Sequence, residues 1–320
     1  ADGTFNFYDT EKKTAYQDCY ASLNAGKTLG IGNYDSANII HSNGKFYLLV
    51  GTSTSNRDHF YIVDAKTLYY ENSAAVGANL SGLTILNEQY GLVTGDGIRR
   101  IDLKSLNNVR IKNERLLCFY NSIIYNGKVL SNDTYKDESK VKYYDVNELI
   151  AAKEGEAPAV TELDIIQKQK INFVLAKDGN VYTLESADNG CNIVKIKNDF
   201  TLEKVFANFQ PAKGPYHSSP TIGMVASETE NIIYLVSTDG AIYKYILGDS
   251  DSLKAPFIAA ESGVSITAPL QLNQQSGELY VTYTEERKDE SKIVVYSKDG
   301  KVLHTVDCGE SVPSQILFNN

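Results

Sequence analysis

Tryptophan is absent from this sequence of 320 residues, methionine occurs once, and no two glycines are adjacent. The absence of tryptophan excludes WD repeats, whose signature contains a Trp-Asp pair. It also argues against quinoprotein dehydrogenases and sialidases, whose repeat motifs carry tryptophan. The lack of a Gly-Gly pair argues against kelch repeats. The aromatic residues are mainly tyrosine, with 22 copies.

Histidine is scarce, and its spacing matches no zinc motif. His41, His59, His217 and His304 form neither an H-x-x-x-H nor an H-E-x-x-H pattern. The sequence also lacks the G-x-S-x-G turn of serine hydrolases and the phosphate-binding P-loop. We therefore predict no catalytic residue, no metal site and no cofactor.

The four cysteines, Cys19, Cys118, Cys191 and Cys308, show no C-x-x-C spacing and hence no redox or zinc pattern. A chain of this size can bury a large core without disulfides, so buried or half-buried thiols are favoured. If one disulfide exists, Cys19 and Cys308 are the better pair, because the repeat described below puts them on like strands of neighbouring units.

Neither a basic surplus nor a long apolar stretch is present. The formal net charge of -9 argues against a nucleic-acid partner, which would require a basic patch to neutralise phosphates. No stretch approaches the roughly 20 apolar residues of a membrane-spanning helix.

A strand-like phrase recurs seven times and is the most informative feature of the chain. Its copies are Phe5–Asp9, Phe60–Asp64, Ile98–Asp102, Val141–Asp145, Ile193–Lys197, Ile242–Ile246 and Ile293–Ser297. The first and fourth positions are always apolar or aromatic, and four copies end on aspartate. A strand-length unit that repeats every ~40 to 55 residues is typical of radial or stacked repeat folds.

Each copy belongs to a larger unit of four strands, a to d, in which the repeated phrase is strand c. Most copies follow a hairpin with a Gly- or Asn-containing turn, such as Asn43-Gly44 or Asn126-Gly127, and both turn positions require a positive φ. Four-stranded units repeated around a channel make a β-propeller. Because the innermost strands recur about every 46 residues, the sequence predicts an all-β, seven-bladed β-propeller of four-stranded antiparallel blades.

The two termini are predicted to close the last blade together. This blade takes residues from about 1–24 and from 313–320, which would remove the open sheet edges. Blades one to six then occupy about residues 36–76, 82–113, 117–164, 171–208, 219–259 and 265–308, within a single domain over residues 1–320. Strand b of the last blade is missing, so either residues precede Ala1 in the native protein or this blade has three strands.

Two segments depart from the repeat. Val146–Val160 is rich in Ala, Glu and Lys, which favours a solvated surface loop, with one helical turn as the alternative. Phe209–Thr221 contains three of the seven prolines and predicts a long connection into the fifth blade. Ordered long loops often carry function.

The chain resembles the YncE-like, surface-layer-type propellers of Bacteroidetes. The resemblance rests on Gly3–Asp9, Phe60–Thr67, Gly97–Leu103 and Val312–Ile316, and blades four to six lack the closing aspartate of the phrase. It implies an exported protein of the periplasm or cell surface, such as an outer-membrane lipoprotein. Members of this group include surface lipoproteins that capture vitamin B12 for a transporter, and others have no known role.

Propellers usually bind ligands at one mouth of the channel, which is built by the loops that enter strand a and those that join strands b and c. Here these loops carry Tyr, Asn, Arg, His and Ser, which suit a polar organic ligand. The candidate residues are Tyr34, Asp35, Arg57, His59, Tyr120, Asn121, Tyr216, His217, Ser218, Thr267 and Arg287. Tyr216 and His217 are the strongest candidates, because the repeat does not explain their loop.

Three functions remain open from the sequence. The first is a non-catalytic, ligand-binding propeller of the cell envelope that serves nutrient capture, for example of a corrinoid by fold analogy alone. The second is an interaction platform for an outer-membrane transporter or surface complex. The third is a lyase or hydrolase with a dispersed site of Tyr216, His217 and Arg287. The predicted partner is a small polar organic molecule or a surface protein, and a membrane is reached only through a lipid anchor upstream of Ala1.

Overall fold

Short antiparallel strands joined by tight turns make up most of the computed structural model. It describes residues 5–27, 29, 34–52, 58–77, 80–95, 97–112, 122–132, 139–156, 158–168, 172–212, 223–285, 290–309, 313 and 315–318. The chain divides into two compact units, residues 1–135, 142–162 and 319–320, and residues 136–141 and 163–318.

The first unit begins with a small hairpin and a short helix, β1 (Phe7–Asp9), β2 (Thr14–Tyr16) and α1 (Cys19–Leu23). The first blade sheet contains β3 (Tyr34–Ser42), β4 (Lys45–Thr52), β5 (Asp58–Asp64) and β6 (Tyr70–Gly77). The second contains β7 (Leu80–Ile85), β8 (Tyr90–Gly95), β9 (Gly97–Asp102) and β10 (Asn108–Lys112). The third contains β11 (Ile123–Tyr125), β12 (Lys128–Asn132), β13 (Ser139–Asp145) and β14 (Val160–Gln167), with α2 (Val146–Ala151) before β14.

Residues up to 141 of β13 and from 163 of β14 belong to the second unit, and so do the fourth, fifth and sixth sheets. The fourth sheet contains β15 (Val174–Leu175), β16 (Val181–Ala187), β17 (Gly190–Ile196) and β18 (Leu202–Phe209). The fifth contains β19 (Met224–Ala226), β20 (Ile232–Val236) and β21 (Ile242–Ile246), followed by a 3-10 turn at Ser250–Leu253. The sixth contains β22 (Val264–Ile266), β23 (Gln271–Leu272), β24 (Leu279–Glu285), β25 (Ser291–Tyr296) and β26 (Val302–Gly309), with β22 and β23 both paired to β24.

The prediction of seven blades is wrong, although the all-β propeller class is correct. The described residues form six sheets of three to five strands, and one further sheet that holds only β1 and β2. The first copy of the phrase does form a strand, but the chain turns into α1 soon after Tyr16. At the other terminus, the described residues 315–318 form no strand. The predicted closure of a last blade by both termini is therefore not formed by the described residues.

The core of each unit lies between successive sheets. Strand b of each sheet is largely buried on both faces, as in β20, where all five residues are buried; such strands appear as continuous apolar runs instead of alternating patterns. In the first unit Leu49 and Phe60 pack with Val93 of the second sheet. In the second unit Leu184 packs in one cluster with Leu235 of the fifth sheet. The buried sheets provide a rigid base for the strand ends.

The aspartates that close the repeated phrase stabilise the turn after strand c. In Asp9, Asp64, Asp102 and Asp145, Oδ1 accepts hydrogen bonds from the backbone N–H groups two and three residues later. The sixth sheet, whose copy ends on serine, uses Ser297 Oγ to accept from the N–H groups of Asp299 and Lys301. The closing residue therefore serves the scaffold, and Asp145 is also the N-cap of α2.

We expect Asp102→Ala to lower the free energy of unfolding by about 1 kcal/mol at pH 7, as the loss of a helix cap does. The backbone N–H of Ser105, its hydroxyl and the N–H of Lys104 lower the pKa of Asp102, although partial burial acts in the opposite direction. Because the folded pKa is depressed, the stabilisation is present above the unfolded value of about 3.9 and is lost as the pH falls through the folded value. Urea unfolding at pH 7 and pH 3 measures this.

The matched control is Asp102→Asn, which keeps an acceptor oxygen but carries no charge. At pH 7 its free energy of unfolding should fall less than that of Asp102→Ala. The difference in free energy of unfolding between Asp102→Asn and wild type should become smaller as the pH is lowered. A difference that stays constant from pH 7 to pH 3 would contradict a role for the charge.

The side-chain amide of Asn24 joins the N-terminal segment to the first sheet through hydrogen bonds. Asn24 is buried, and its Nδ2 donates to the carbonyl oxygens of Tyr20 and Leu68 at 3.0 and 2.8 Å. Its Oδ1 accepts from the Tyr70 N–H at 2.6 Å. The ring of Phe5 also stacks on Phe46 of β4, with centroids 5.6 Å apart. This segment therefore covers one face of the first sheet, as strands of a further blade would.

Two smaller predictions have structural outcomes. Val146–Ala151 forms the helix α2, where a loop had been favoured, because Asp145 caps its first turn. Cys19, Cys191 and Cys308 are free thiols, so Cys19 and Cys308 are not disulfide-bonded, and Cys118 lies outside the described residues.

Candidate functional site

Three of the predicted site residues lie on strands at one end of the first sheet. Tyr34, at the start of β3, is the register partner of Thr52 at the end of β4. Asp35 follows in β3, and His59 is the second residue of β5, where it faces Val50 and Ala75. The start of strand a and the start of strand c therefore lie at the same end of this sheet.

His59 is half-buried at this end and lies beside an aromatic ring. Its ring centroid is 6.0 Å from that of Tyr61, with the planes tilted by 31°. The preceding residue, Asp58, is 3% exposed, and its Oδ2 accepts a hydrogen bond from the Leu80 N–H. Asp58 thus joins the start of β5 to the start of β7, which fixes this end of the two sheets.

Two arginines at the same end of the second sheet were missed by the sequence analysis. Arg99 of β9 and Arg110 of β10 are direct register partners, and both are half-buried. Arg99 Nη1 donates to Asn108 Oδ1 at 3.2 Å. The available signal was a pair of like charges on predicted strands c and d, which align in the regular register from the turn because the β-bulge comes only after Arg110.

Thr267, in the second unit, belongs to a sheet surface and not to an open loop. Its N–H donates to the Thr282 carbonyl oxygen, and its Oγ1 lies 2.8 Å from Thr284 Oγ1. Thr282 is fully buried, and its hydroxyl has no hydrogen-bond partner among the described residues. These threonines form a hydroxyl-rich patch on β24 beside the end of β22.

The remaining candidates, Arg57, Tyr120, Asn121, Tyr216, His217, Ser218 and Arg287, lie outside the described residues. They stay predictions, and so does the dispersed site of Tyr216, His217 and Arg287. Within the described ranges, no three His, Cys, Asp or Glu side chains cluster as metal ligands. No helix in this part of the chain is long and apolar enough to cross a membrane.

A tyrosine, an aspartate and a lysine form the most tightly connected titratable cluster of the fourth sheet. Asp178 Oδ2 accepts a hydrogen bond from the Tyr182 hydroxyl at 2.8 Å, and it forms an ion pair with Lys195 Nζ at 2.8 Å. Burial, reinforced by Asp178, raises the pKa of Tyr182 well above its ordinary value. Burial opposes ionisation of Asp178, but the bonds from Lys195 and Tyr182 bring its pKa below normal. Tyr182 therefore stays protonated as a donor, which fits a brace for the hairpin better than a catalytic base.

A depression of about 310 Å³ lies beside α2 in the first unit. Its walls include the carboxylates of Glu148 and Glu156. Glu148 Oε2 accepts from the Ala159 N–H at 3.3 Å, and Glu156 Oε2 accepts from the Lys153 N–H at 3.0 Å. Both carboxylates thus hold the loop that follows the helix, and the depression is the surface of that loop.

Several solved structures resemble the chain at low sequence identity. A functionally unknown protein from Desulfotomaculum acetoxidans matches with a TM-score of 0.56 and 12% identity, over 97% of this chain and 93% of that one. The β-propeller domain of Cps50 (Swd1) from Myceliophteria thermophila matches with a TM-score of 0.52 and 12% identity, over 87% of this chain and 91% of the other. A prolyl endopeptidase matches with a TM-score of 0.54 and 11% identity, over 88% of this chain, which spans 44% of that enzyme's length.

At such identities, likeness establishes the propeller fold and leaves activity open. Among curated proteins, no sequence matches this one. The family model DUF5074, a domain of unknown function, matches residues 1–319. The chain therefore belongs to the DUF5074 family of β-propeller proteins.

Proposed function

We propose that this chain is a non-catalytic propeller that binds a small polar organic ligand at the strand ends where β3 begins. The observation that carries the proposal is the meeting of Tyr34, Asp35 and His59 at one end of the first sheet, with Arg99 and Arg110 at the same end of the second. His59, Arg99 and Arg110 are half-buried, and such polar groups on the ends of packed strands suit binding, because the scaffold fixes their positions before a ligand arrives.

The proposed setting is the bacterial cell envelope. The resemblance to YncE-like, surface-layer-type propellers supports export to the periplasm or the cell surface, with a lipid anchor as the link to the outer membrane. Nutrient capture fits a binding protein in that setting. A corrinoid is one ligand that fits by analogy of fold, and haem or a glycan would fit the same polar, aromatic strand ends.

The test is calorimetry of the purified chain with cyanocobalamin, haem and soluble glycan fragments as probes. We expect at least one probe to bind, and His59→Ala to weaken that binding about tenfold, which corresponds to about 1.4 kcal/mol. Tyr69→Ser is the matched control, because Tyr69 is 53% exposed and lies in the turn after β5, at the opposite end of the sheet. The affinity of the Tyr69→Ser variant for the probe should equal that of wild type.

Four results would contradict the proposal. Absence of binding by every probe would remove its basis, and equal affinity of His59→Ala and wild type would exclude the proposed strand ends. If mass spectrometry detected conversion of a bound probe into a product, this would indicate the lyase or hydrolase alternative. Capture of a transporter protein without any small-molecule binding would indicate the interaction platform.

A further inference from the structure

We infer that the hydroxyl-rich patch of the sixth sheet, which comprises Thr267, Thr282 and Thr284, binds a neutral saccharide. The patch lies on β24 and beside the end of β22, in the second compact unit. The strand ends of the proposed function belong to the first and second sheets, in the first unit. The inference therefore goes beyond the proposed function and does not depend on it.

A buried hydroxyl without a partner is the first sign of a ligand. Thr282 is 0% exposed, and its Oγ1 has no hydrogen-bond partner among the described residues. Such a group has given up its hydrogen bonds to water and received none in return, which lowers stability. Most buried polar side chains in folded proteins are paired. A polar group of a bound molecule beside Thr282 would supply the missing bond.

The blade scaffold does not require a hydroxyl at this position. Thr282 is the register partner of Ile293, the first residue of the repeated phrase in this sheet. The corresponding strand-b residues of the first, fourth and fifth sheets are Leu49, Leu184 and Val236. Each of these three packs in an apolar cluster. Three sheets therefore form with an aliphatic side chain at this position, which favours a role for the Thr282 hydroxyl in binding.

Further hydroxyl side chains lie next to Thr282 on the same face of the sheet. Thr284 follows two residues along β24 and so leaves the same face. The register partners of Thr284 on the two neighbouring strands are Ser265 and Ser291, and its Oγ1 lies 2.8 Å from that of Thr267. Thr282 is fully buried, Thr284 is half-buried and Ser265 is exposed. The hydroxyl groups therefore extend from the interior to the surface.

The charged side chains of these strands leave the opposite face. Glu285 directly follows Thr284 on β24, so its side chain alternates away from the patch. The same holds for Lys292, which follows Ser291 on β25 and whose Nζ is ion-paired with Glu261 at 3.0 Å. A charged ligand would lose its hydration at the patch without meeting an opposite charge. The hydroxyl groups of a saccharide are neutral, and each both donates and accepts hydrogen bonds, as threonine does.

Calorimetry of the full chain with maltose, xylobiose and N-acetylglucosamine tests the inference. We expect at least one of these saccharides to bind wild type and, through binding to the folded state, to raise its Tm. Thr282→Val replaces the hydroxyl by a methyl group of similar size. The affinity of this variant should be about tenfold weaker. Its Tm without saccharide should rise, because a buried hydroxyl without a partner has been removed.

Thr94→Val is the matched control. Thr94 has the same place in the second sheet, as the register partner of Ile98 at the start of the phrase, and it is 2% exposed. Its Oγ1 also has no partner in the described part of the chain, but the residue opposite it on β7 is Gly82, which has no hydroxyl. Thr94→Val should raise the Tm as Thr282→Val does and bind the saccharide as wild type does. Thr282→Ser keeps the hydroxyl and should bind more tightly than Thr282→Val.

Absence of binding by all three saccharides would overturn the inference, and so would equal affinity of Thr282→Val and wild type. A lower Tm of Thr282→Val without saccharide would show that bound water alone satisfies the hydroxyl, which also overturns it. Loss of saccharide binding in His59→Ala but not in Thr282→Val would assign the saccharide to the first unit and support only the proposed function. Loss in Thr282→Val alone would support the patch. If no probe then showed His59-dependent binding, the proposed function would fail by itself.

Discussion

Gly190→Ala is expected to lower the free energy of unfolding by about 3 kcal/mol, from a strained backbone conformation and a steric clash together. Gly190 begins β17 with φ +113, and an added Cβ would lie 2.5 Å from the Phe209 carbonyl oxygen and would also collide with Gln210 Nε2. Gln210 Nε2 donates to the Asn189 carbonyl oxygen at 2.7 Å, across the same space. Because the Phe209 oxygen belongs to the backbone, it cannot turn aside as a side chain can, and the change must displace β18 or break the turn.

Gly248→Ala separates the two causes. Gly248 has φ +87, but an added Cβ would meet nothing within 4 Å, so only the backbone strain remains, at about 1 kcal/mol. Urea unfolding of both variants measures the difference. If both variants lost the same free energy of unfolding, β18 would have to move aside without cost, and the steric clash at Gly190 would contribute nothing to stability.

The strands were predictable where a short sequence carries its own physical cause. Asn43-Gly44 and Asn126-Gly127 were predicted as tight hairpin turns, and all four residues do have positive φ between 47° and 70°. The apolar runs of strands b were recognisable because those strands are largely buried on both faces. These features depend on neighbours within a few residues, which the sequence displays directly.

The blade count was not predictable from the same signal. The repeated phrase marks strand c, and a strand c can exist without a complete blade around it, as β1 does with β2 alone. Whether strands a and b are present depends on segments far away in sequence. The count of phrases therefore exceeded by one the count of sheets with three or more strands among the described residues.

The candidate site was predictable only in part, for a similar reason. Tyr34 and His59 could be assigned to one end of a blade because the order of strands a to d fixes which ends meet. The pairing of Arg99 with Arg110 depends on where the turn between β9 and β10 sets the register, and the space beside Arg99 depends on Gly77 of the preceding sheet. Register and contacts between sheets are tertiary properties that spacing does not reveal.

Arg100→Met is expected to lower the free energy of unfolding by about 2 kcal/mol. Arg100 Nη1 donates to the carbonyl oxygens of Leu149, Ile150 and Ala152, at the C-terminal end of α2. Its guanidinium carbon also lies 5.1 Å from the centroid of the Tyr90 ring. The last carbonyls of a helix have no partners within it, and hydrogen bonds to a charged group contribute about 1.5 to 3 kcal/mol. Methionine keeps the apolar stem but leaves these carbonyls without a donor.

The effect should be local as well as global, because a helix of six residues is unstable by itself in water. Hydrogen exchange should therefore accelerate at the Ala152 N–H, which bonds to the Glu148 carbonyl oxygen, before the sheets open. Arg100→Lys should lose about half as much stability, since it keeps the charge but its flexible stem does not hold the ammonium where Arg100 Nη1 lies. Lys104→Met, on the exposed turn after β9, should stay within about 0.5 kcal/mol of wild type. Unchanged exchange at Ala152 in Arg100→Met would mean that Asp145 and the packing of Leu149 hold α2 without the arginine.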